Sequence, residues 1–213
     1  MQKFLYLLFC IALVSCKKEK KEAPLLNNET ITVESNKTAL PDELSSKLEN
    51  WKKYYLTNDL TFDFENFQFK DSLKINRIEG SVPGVFQEEF DSVYLDFLIY
   101  SENKDKYIDF DSYWWFIYDD EISFEADQEV NLVNINEKTV ERIGFSGPSE
   151  WVEDAIWLND KTVVLVGNNH ENTPFIRIAN LTRDTYYYYL YKKPLSFRSE
   201  YFKKRLKTKT PQT

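Results

Sequence analysis

The fold is decided by residues 154–191, which have the sequence DAIWLNDKTVVLVGNNHENTPFIRIANLTRDTYYYYLY. Runs of valine, isoleucine, leucine and tyrosine alternate here with short polar groups, such as those at 159–160 and 182–184. β-branched and aromatic residues favour strands, whereas polar groups of this kind favour turns. The stretch therefore predicts four consecutive antiparallel strands.

The same alternation extends back along the chain to residue 61. It predicts further strands before the first four, so that the candidates lie at 61–70, 73–78, 93–100, 106–110, 113–118, 121–126, 129–136, 139–145, 154–158, 161–167, 174–180 and 185–191. A one-residue slip in the alternation at Asn66 fits a β-bulge. Because the turns between candidates are short and polar, we expect antiparallel pairing of neighbours.

One helix is predicted ahead of these strands. Pro41 suits the first turn of a helix, and Leu44, Leu48, Trp51 and Tyr55 follow at spacings that place them on one face. The predicted fold is therefore mainly β: an antiparallel meander or sandwich with one N-terminal helix packed on it.

Residues 154–191 also resemble one blade of a β-propeller. This resemblance implies a partial propeller-like sheet as the alternative fold. A closed propeller needs at least about 16 strands in four blades, which is more than the candidates supply. We therefore favour the meander or sandwich.

The first 16 residues have the features of an export signal. Lys3 precedes an uncharged run from Phe4 to Val14, and Ser15 and Cys16 follow. The run has 11 residues, whereas a helix needs about 20 apolar residues to span a bilayer. The segment is therefore predicted to direct export without crossing the membrane permanently.

Leu13-Val14-Ser15-Cys16 resembles the lipobox of bacterial lipoproteins. The resemblance implies cleavage before Cys16 and a lipid on Cys16 that holds the protein to a membrane. The expected location is the bacterial cell envelope, with the outer membrane favoured and the choice between periplasmic face and cell surface open. The alternative is an ordinary signal peptide cut nearby, which would leave the Cys16 thiol free in an oxidising compartment.

The chain divides into four expected segments. Residues 1–15 are the signal peptide, and residues 16–40 are the lipidated cysteine and a polar, flexible tether. Residues 41–191 form the helix and the antiparallel β domain, and residues 192–213 form a basic tail that includes a possible short helix. The lysine-rich start of the tether is similar to that of lipoproteins of the Bacteroidota.

The charge distribution narrows the choice of partners. The chain has a net charge of −8, yet residues 192–213 hold eight basic residues and one acidic residue, a net of 8 − 1 = +7. An acidic body repels phosphate backbones, so nucleic acid is excluded as an expected partner. We expect the basic tail to dock on the acidic body or to remain solvated.

The candidate catalytic residues are few. His170 is the only histidine and lies in a polar loop, and no Gly-x-Ser-x-Gly motif accompanies it. With one histidine and no cysteine after Cys16, zinc is not expected, and no cofactor motif is present. Glu150, Glu153 and Asp154 flank or follow Trp151, and such grouped carboxylates suit a carbohydrate-active hydrolase.

Aromatic residues make up 16% of the chain. Neighbours in a strand face opposite sides of a sheet, so runs of aromatic residues place rings on both faces. We therefore consider a binding surface for a protein or glycan partner formed by Trp114, Trp115, Trp151, Tyr186 and Tyr188; burial of these rings under a helix or second sheet is the alternative. The leading hypothesis is a membrane-anchored, non-enzymatic envelope lipoprotein that binds such a partner. The two other hypotheses are a carbohydrate-active hydrolase and a structural or assembly component of an envelope complex.

Overall fold

The computed structural model describes residues 40–119 and 121–209, so the predicted signal peptide, Cys16 and most of the tether lie outside the described residues. The prediction of a mainly β fold built from antiparallel strands is confirmed. The described residues contain two five-stranded sheets and one two-stranded hairpin. Three short α-helices accompany them.

Sheet I contains the stretch that decides the fold. Its strand order is β1-β12-β11-β10-β9, and every neighbouring pair is antiparallel. The bounds are Phe67–Lys74 for β1, Glu150–Asn159 for β9, Thr162–Asn169 for β10, Pro174–Asn180 for β11 and Thr185–Tyr191 for β12. The four strands predicted from 154–191 are therefore consecutive neighbours, and β1 is added at the far edge.

Sheet II has the order β2-β8-β7-β4-β3 and is also antiparallel. Its strands are β2 at Ile78–Glu79, β3 at Ile99–Tyr100, β4 at Lys106–Asp109, β7 at Gln128–Asn134 and β8 at Thr139–Ser146. Inward side chains of the two sheets share one apolar cluster, which includes Ile108 and Leu132 from sheet II and Leu165 and Phe175 from sheet I. The two sheets thus form the layers of a sandwich.

The predicted N-terminal helix covers the outer face of sheet I. It is divided into α1 at Leu44–Lys47 and α2 at Glu49–Asn58, because the backbone of Leu48 leaves the helical conformation. Leu44, Leu48, Trp51 and Tyr55 are all buried against residues of β10, β11 and β12. The 3.6-residue spacing therefore identified the buried face, although not the break.

Two segments predicted as strands are helical turns. Residues 92–97, which overlap the predicted strand 93–100, form a 3₁₀ helix, and the Asp91 carboxylate accepts a hydrogen bond from the backbone N–H of Val93 at 3.0 Å. Phe64–Asn66 forms a second 3₁₀ turn, which Asp63 caps in the same way, and the bulge lies between Phe69 and Asp71. An aspartate cap satisfies backbone donors that a strand would pair with a neighbour.

The described part of the C-terminal segment contains helix α3, Tyr201–Lys209, which packs on the sandwich. The Arg205 guanidinium donates to both carboxylate oxygens of Asp111, at 2.6 and 3.0 Å, and both side chains are buried. The Tyr201 hydroxyl donates to Asp154 at 2.8 Å. Within the described part of the tail, basic and aromatic side chains therefore contact acids of the body.

Candidate functional site

The tryptophans predicted for a binding surface pack in the core at one end of the sandwich. Trp114, Trp115 and Trp151 are buried in one cluster together with Leu206 of α3. The Trp115 indole donates to Asp111 at 2.9 Å, and the Trp114 ring contacts Phe202 with centroids 5.0 Å apart. Helix α3 therefore covers a face that sequence patterns alone leave open.

The two predicted tyrosines face the interior between the sheets. Tyr186 is buried and donates its hydroxyl hydrogen to the carbonyl oxygen of Ile143 at 3.2 Å. Tyr188 is half-buried, and the Arg177 guanidinium lies 5.4 Å from its ring centroid. Burial raises the pKa of Tyr186 well above its ordinary value, which keeps its hydroxyl neutral.

The three candidate catalytic carboxylates all contact protein donors. Glu153 is fully buried and accepts hydrogen bonds from Trp51 at 2.9 Å and Tyr55 at 2.8 Å. Glu150 pairs with Arg177, whereas Asp154 accepts from a tyrosine of α3. Glu150 lines a cleft. A glycosidase needs two carboxyl groups that both reach the sugar, and a fully buried Glu153 does not supply the second.

The remaining candidates for chemistry lie at the surface. His170 is exposed, and its Nδ1 lies 3.2 Å from the carbonyl oxygen of Ser149. Within residues 40–119 and 121–209, no group of three or more histidine, cysteine, aspartate or glutamate side chains is placed to hold a metal ion.

A hairpin beside the tryptophan cluster exposes large apolar side chains. Its strands are β5 at Trp115–Tyr118 and β6 at Glu121–Phe124, and neither strand pairs with a further strand in the described part of the chain. We name the exposed side chains the hairpin ridge; they are Phe116, Ile117, Tyr118 and Phe124, with 52% of Ile117 and 66% of Tyr118 exposed. Exposed apolar side chains that lie together mark interaction surfaces.

The register of the hairpin puts ridge residues on both of its faces. Trp115 pairs with Phe124 and Ile117 with Ile122, so these side chains share one face, whereas Phe116 and Tyr118 lie on the other. An ordinary surface hairpin has one polar face, because only one face packs on the core. In this hairpin, both faces carry exposed apolar side chains.

The ridge continues into a cleft lined by aromatic rings. This aromatic cleft has a volume of about 500 Å³ and is lined by the rings of Trp114, Phe124, Trp151 and Phe202. Phe124 belongs to both features, and its ring centroid lies 5.2 Å from that of Phe202. The Arg198 guanidinium lies 5.6 Å from the Trp151 ring centroid. The face of the hairpin that carries Ile117 and Phe124 is thus continuous with the cleft, whereas Phe116 and Tyr118 are exposed on its other face.

In the hairpin segment, the sequence predicted Trp114 and Trp115 as binding residues, whereas the exposed aromatic residues are Phe116 and Tyr118, which follow them. Phe116 belongs to the run Tyr113–Phe116 that drew attention to this segment, but the two tryptophans between them face the core. The neighbouring acid Asp119 was a usable signal, because aspartate is common in turns and the turn after β5 contains this residue.

Comparison with protein families, with characterised proteins and with solved structures found no significant match to this chain. The function must therefore be argued from the described surface itself. No helix among the described residues is long and apolar enough to cross a membrane.

Proposed function

We propose that this chain is a lipid-anchored, non-enzymatic protein of the bacterial cell envelope whose β-sandwich binds a protein partner through the hairpin ridge. The ridge is the observation that carries the proposal, because four large apolar side chains are exposed on one projecting hairpin. The anchor is supported by the resemblance of residues 13–16 to a lipobox. Membrane contact is then through the lipid on Cys16.

The chemistry of the ridge favours a protein over a lipid surface as its occupant. The turn that joins β5 and β6 contains Asp119 and ends at Glu121, and both are acidic. Carboxylates at the tip would meet the negative headgroups of an anionic bilayer, which opposes insertion. An apolar groove bordered by lysine or arginine complements the same tip. We therefore expect the partner to present such a groove.

Replacement of Cys16 by serine is expected to abolish the anchor. Lipid attachment requires the thiol, so a cell fed with a labelled fatty acid should label the wild-type protein and leave Cys16→Ser unlabelled. The variant should also leave the membrane fraction when cells are broken. Equal labelling of both proteins would contradict the lipidation of Cys16.

Replacement of two ridge residues is expected to remove the partner. The variant Phe116→Ser with Tyr118→Ser deletes two exposed aromatic side chains, and central aromatic contacts dominate binding energy. We expect it to retain less than about one tenth of the partner when the protein is purified from membranes in mild detergent. Cross-linking before cell lysis, followed by quantitative mass spectrometry, measures the retained amount.

Leu60→Ser is the matched control, because Leu60 is 89% exposed but lies away from the hairpin. It should retain the partner fully. A wild-type protein without a stoichiometric partner, or equal retention by the ridge variant and the control, would contradict the proposal. A glycan bound in the aromatic cleft is the second candidate, favoured by the rings of Phe124 and Phe202, which are at least partly exposed there. Binding to a glycan array that survives the ridge replacements would identify it.

A further inference from the structure

One edge of sheet II is only partly covered. Strand β8 has eight residues, but β2 has two and pairs only with Glu141 and Arg142. Residues 144–146 therefore have β7 on one side and no strand on the other among the described residues. Ile143 is the extra residue of a bulge, and its carbonyl oxygen accepts a hydrogen bond from the Tyr186 hydroxyl at 3.2 Å. An uncovered edge presents backbone hydrogen-bonding groups that can pair with another chain.

The chain between β1 and β2 keeps this edge open. It crosses from sheet I to sheet II, and at Ile75 it is still bonded to sheet I through Asp184, at 2.8 Å. The Arg77 guanidinium then fixes the crossing, because it donates to Asp184 at 2.7 Å and to Glu141 at 2.8 Å. These contacts hold residues 75–77 away from the rest of β8.

The uncovered edge borders a cleft of about 340 Å³, which we name the edge cleft. Its lining includes three basic residues, Lys74, Arg142 and Arg177, and no acidic residue. Arg142 is paired with Glu129 and Arg177 with Glu150, so Lys74 is the lining cation that has no ion pair among the described residues. This composition is notable in a chain with 35 acidic and 27 basic residues. Leu73, Ile78 and Phe145 also line the cleft, each between 44% and 49% exposed. The cleft complements a ligand with a negative charge and apolar groups.

The register of β8 assigns these groups to two sides. Gly144 pairs with Val130 and faces the sandwich interior, where the Tyr186 hydroxyl lies 3.3 Å from the position that a Cβ on Gly144 would take. Phe145 pairs with Glu129 and faces outward, and the Arg142 guanidinium lies 5.0 Å from its ring centroid. An inward position along this edge thus meets Tyr186 and Arg177, and an outward one meets Phe145.

We propose that residues 144–146 bind an extended peptide of a partner protein, which adds to sheet II as a strand. An acidic side chain of the peptide faces inward, toward sheet I, and pairs with Lys74, and the apolar side chains on either side of it face outward to Phe145 and Ile78. Strand addition supplies affinity through main-chain hydrogen bonds and specificity through alternate side chains. The edge cleft is separate from the hairpin ridge in its lining residues and does not depend on it.

The open backbone edge favours a peptide over an anionic lipid. A free fatty acid also combines one negative charge with an apolar chain, but it has no use for a row of backbone donors and acceptors. Apolar residues and an unpaired edge are usually avoided together at protein surfaces, because they promote pairing with other chains. Their combination here is expected where such pairing is the function.

The test uses a fluorescein-labelled peptide, Gly-Ser-Val-Glu-Val-Ser-Gly, and the full-length protein in mild detergent. Fluorescence anisotropy should show saturable binding, and replacement of the peptide glutamate by lysine should weaken it at least tenfold. Two further peptides have N-methyl groups on alternate backbone amides. Only one of them should lose binding, because alternate amides of an added strand point toward and away from the sheet.

Protein variants locate the binding. Lys74→Glu is expected to weaken it about threefold, as for an exposed ion pair, and Phe145→Ser about tenfold. Lys70→Glu is the matched control, because Lys70 is exposed on the same strand as Lys74 but does not line the cleft. Amide hydrogen exchange within residues 143–146 should slow when the peptide binds.

Absence of saturable binding would overturn the proposal. Equal binding by both N-methylated peptides, or equal weakening by Lys70→Glu and Lys74→Glu, would do the same. Amide exchange with dodecanoate gives a further test. If dodecanoate slows exchange at residues 143–146 and the peptide does not, the proposal is also overturned, because the cleft would then bind a free anionic lipid.

Discussion

Replacement of Arg205 by methionine is expected to lower the free energy of unfolding by about 3–5 kcal/mol, the usual cost of removing one partner from a buried ion pair. Methionine keeps much of the packing volume but leaves the buried Asp111 carboxylate without its cation. The Trp115 indole would remain the donor to that carboxylate. Urea unfolding followed by tryptophan fluorescence measures the loss.

Lys207→Met is the matched control, because Lys207 lies on the same helix with an exposed side chain. It should change the free energy of unfolding by less than about 0.5 kcal/mol, as surface substitutions usually do. Combining Arg205→Met with Asp111→Asn should cost less than the sum of the two single replacements, because the second removes the unpaired charge. Equal losses in Arg205→Met and Lys207→Met would show that the ion pair of Arg205 with Asp111 contributes little to stability.

This dependence on α3 has a consequence for the proposed binding surface. Leu206 belongs to the cluster that buries Trp114, Trp115 and Trp151, and Phe202 contacts the ring of Phe124 in the hairpin. Arg205 therefore fixes a helix that forms one wall of the aromatic cleft. The ion pair is part of what positions the ridge, although it lies beneath the surface.

The regular elements of this fold could be predicted because each has a local pattern. Leu44, Leu48, Trp51 and Tyr55 repeat at helical spacing, and all four are buried where the pattern places them. The strands between residues 106 and 191 were predicted to within a few residues because polar turns separate apolar runs. Such features depend only on residues that are close in the sequence.

The candidate surface could not be predicted in the same way, because it depends on contacts between distant residues. Arg205 and Asp111 form an ion pair although they are 94 positions apart in the chain. No local sequence pattern predicts that helix α3 covers the tryptophans. The edge cleft likewise results from the length of β2, which is set by where Arg77 is held. The alternation of side chains along a strand predicts that aromatic rings lie on both faces. It does not predict which face another element covers.

Glu153 illustrates the same limit within one strand. The register between β9 and β10 shifts between Val166 and Gly167, where the opposing residues are Asp154 and Val152, so Glu153 is the extra residue of a bulge. The backbone comes so close there that a Cβ on Gly167 would lie 2.1 Å from the carbonyl oxygen of Trp151. The bulge turns the Glu153 carboxylate toward α2, which makes it a link between sheet and helix.

Replacement of Glu153 by leucine is therefore expected to lower the free energy of unfolding by about 3 kcal/mol or more. The Trp51 and Tyr55 donors would lose their acceptor in a fully buried place, and each unsatisfied group costs about 1–3 kcal/mol. The Trp151 indole, 3.3 Å from the second carboxylate oxygen, would lose a weaker contact. Glu171→Leu, at an exposed loop position, should change stability little and is the control for losing a charge.

The isosteric variant Glu153→Gln tests the charge separately through pH. Burial raises the pKa of the Glu153 carboxyl, against hydrogen bonds from Ser199, Trp51, Tyr55 and Trp151 that lower it. An acid with a raised pKa in the folded state contributes stability that is fully present below its unfolded pKa of about 4.3. That contribution is lost as the pH rises through the folded value. Wild type should therefore lose more stability than Glu153→Gln between pH 4 and pH 8.

Asp109, whose pKa is also raised by burial, is present in both proteins, so its contribution cancels in the comparison. The quantity to compare is the difference in free energy of unfolding between the two proteins at each pH. A difference that does not change with pH would mean that Glu153 titrates alike in the folded and unfolded states. If Glu153→Gln lost more stability than wild type between pH 4 and pH 8, the pH dependence would have the opposite sign. That result would contradict a raised pKa for Glu153. The expected result instead identifies Glu153 as a buried acceptor retained for the contacts it makes with α2, at the expense of stability at higher pH.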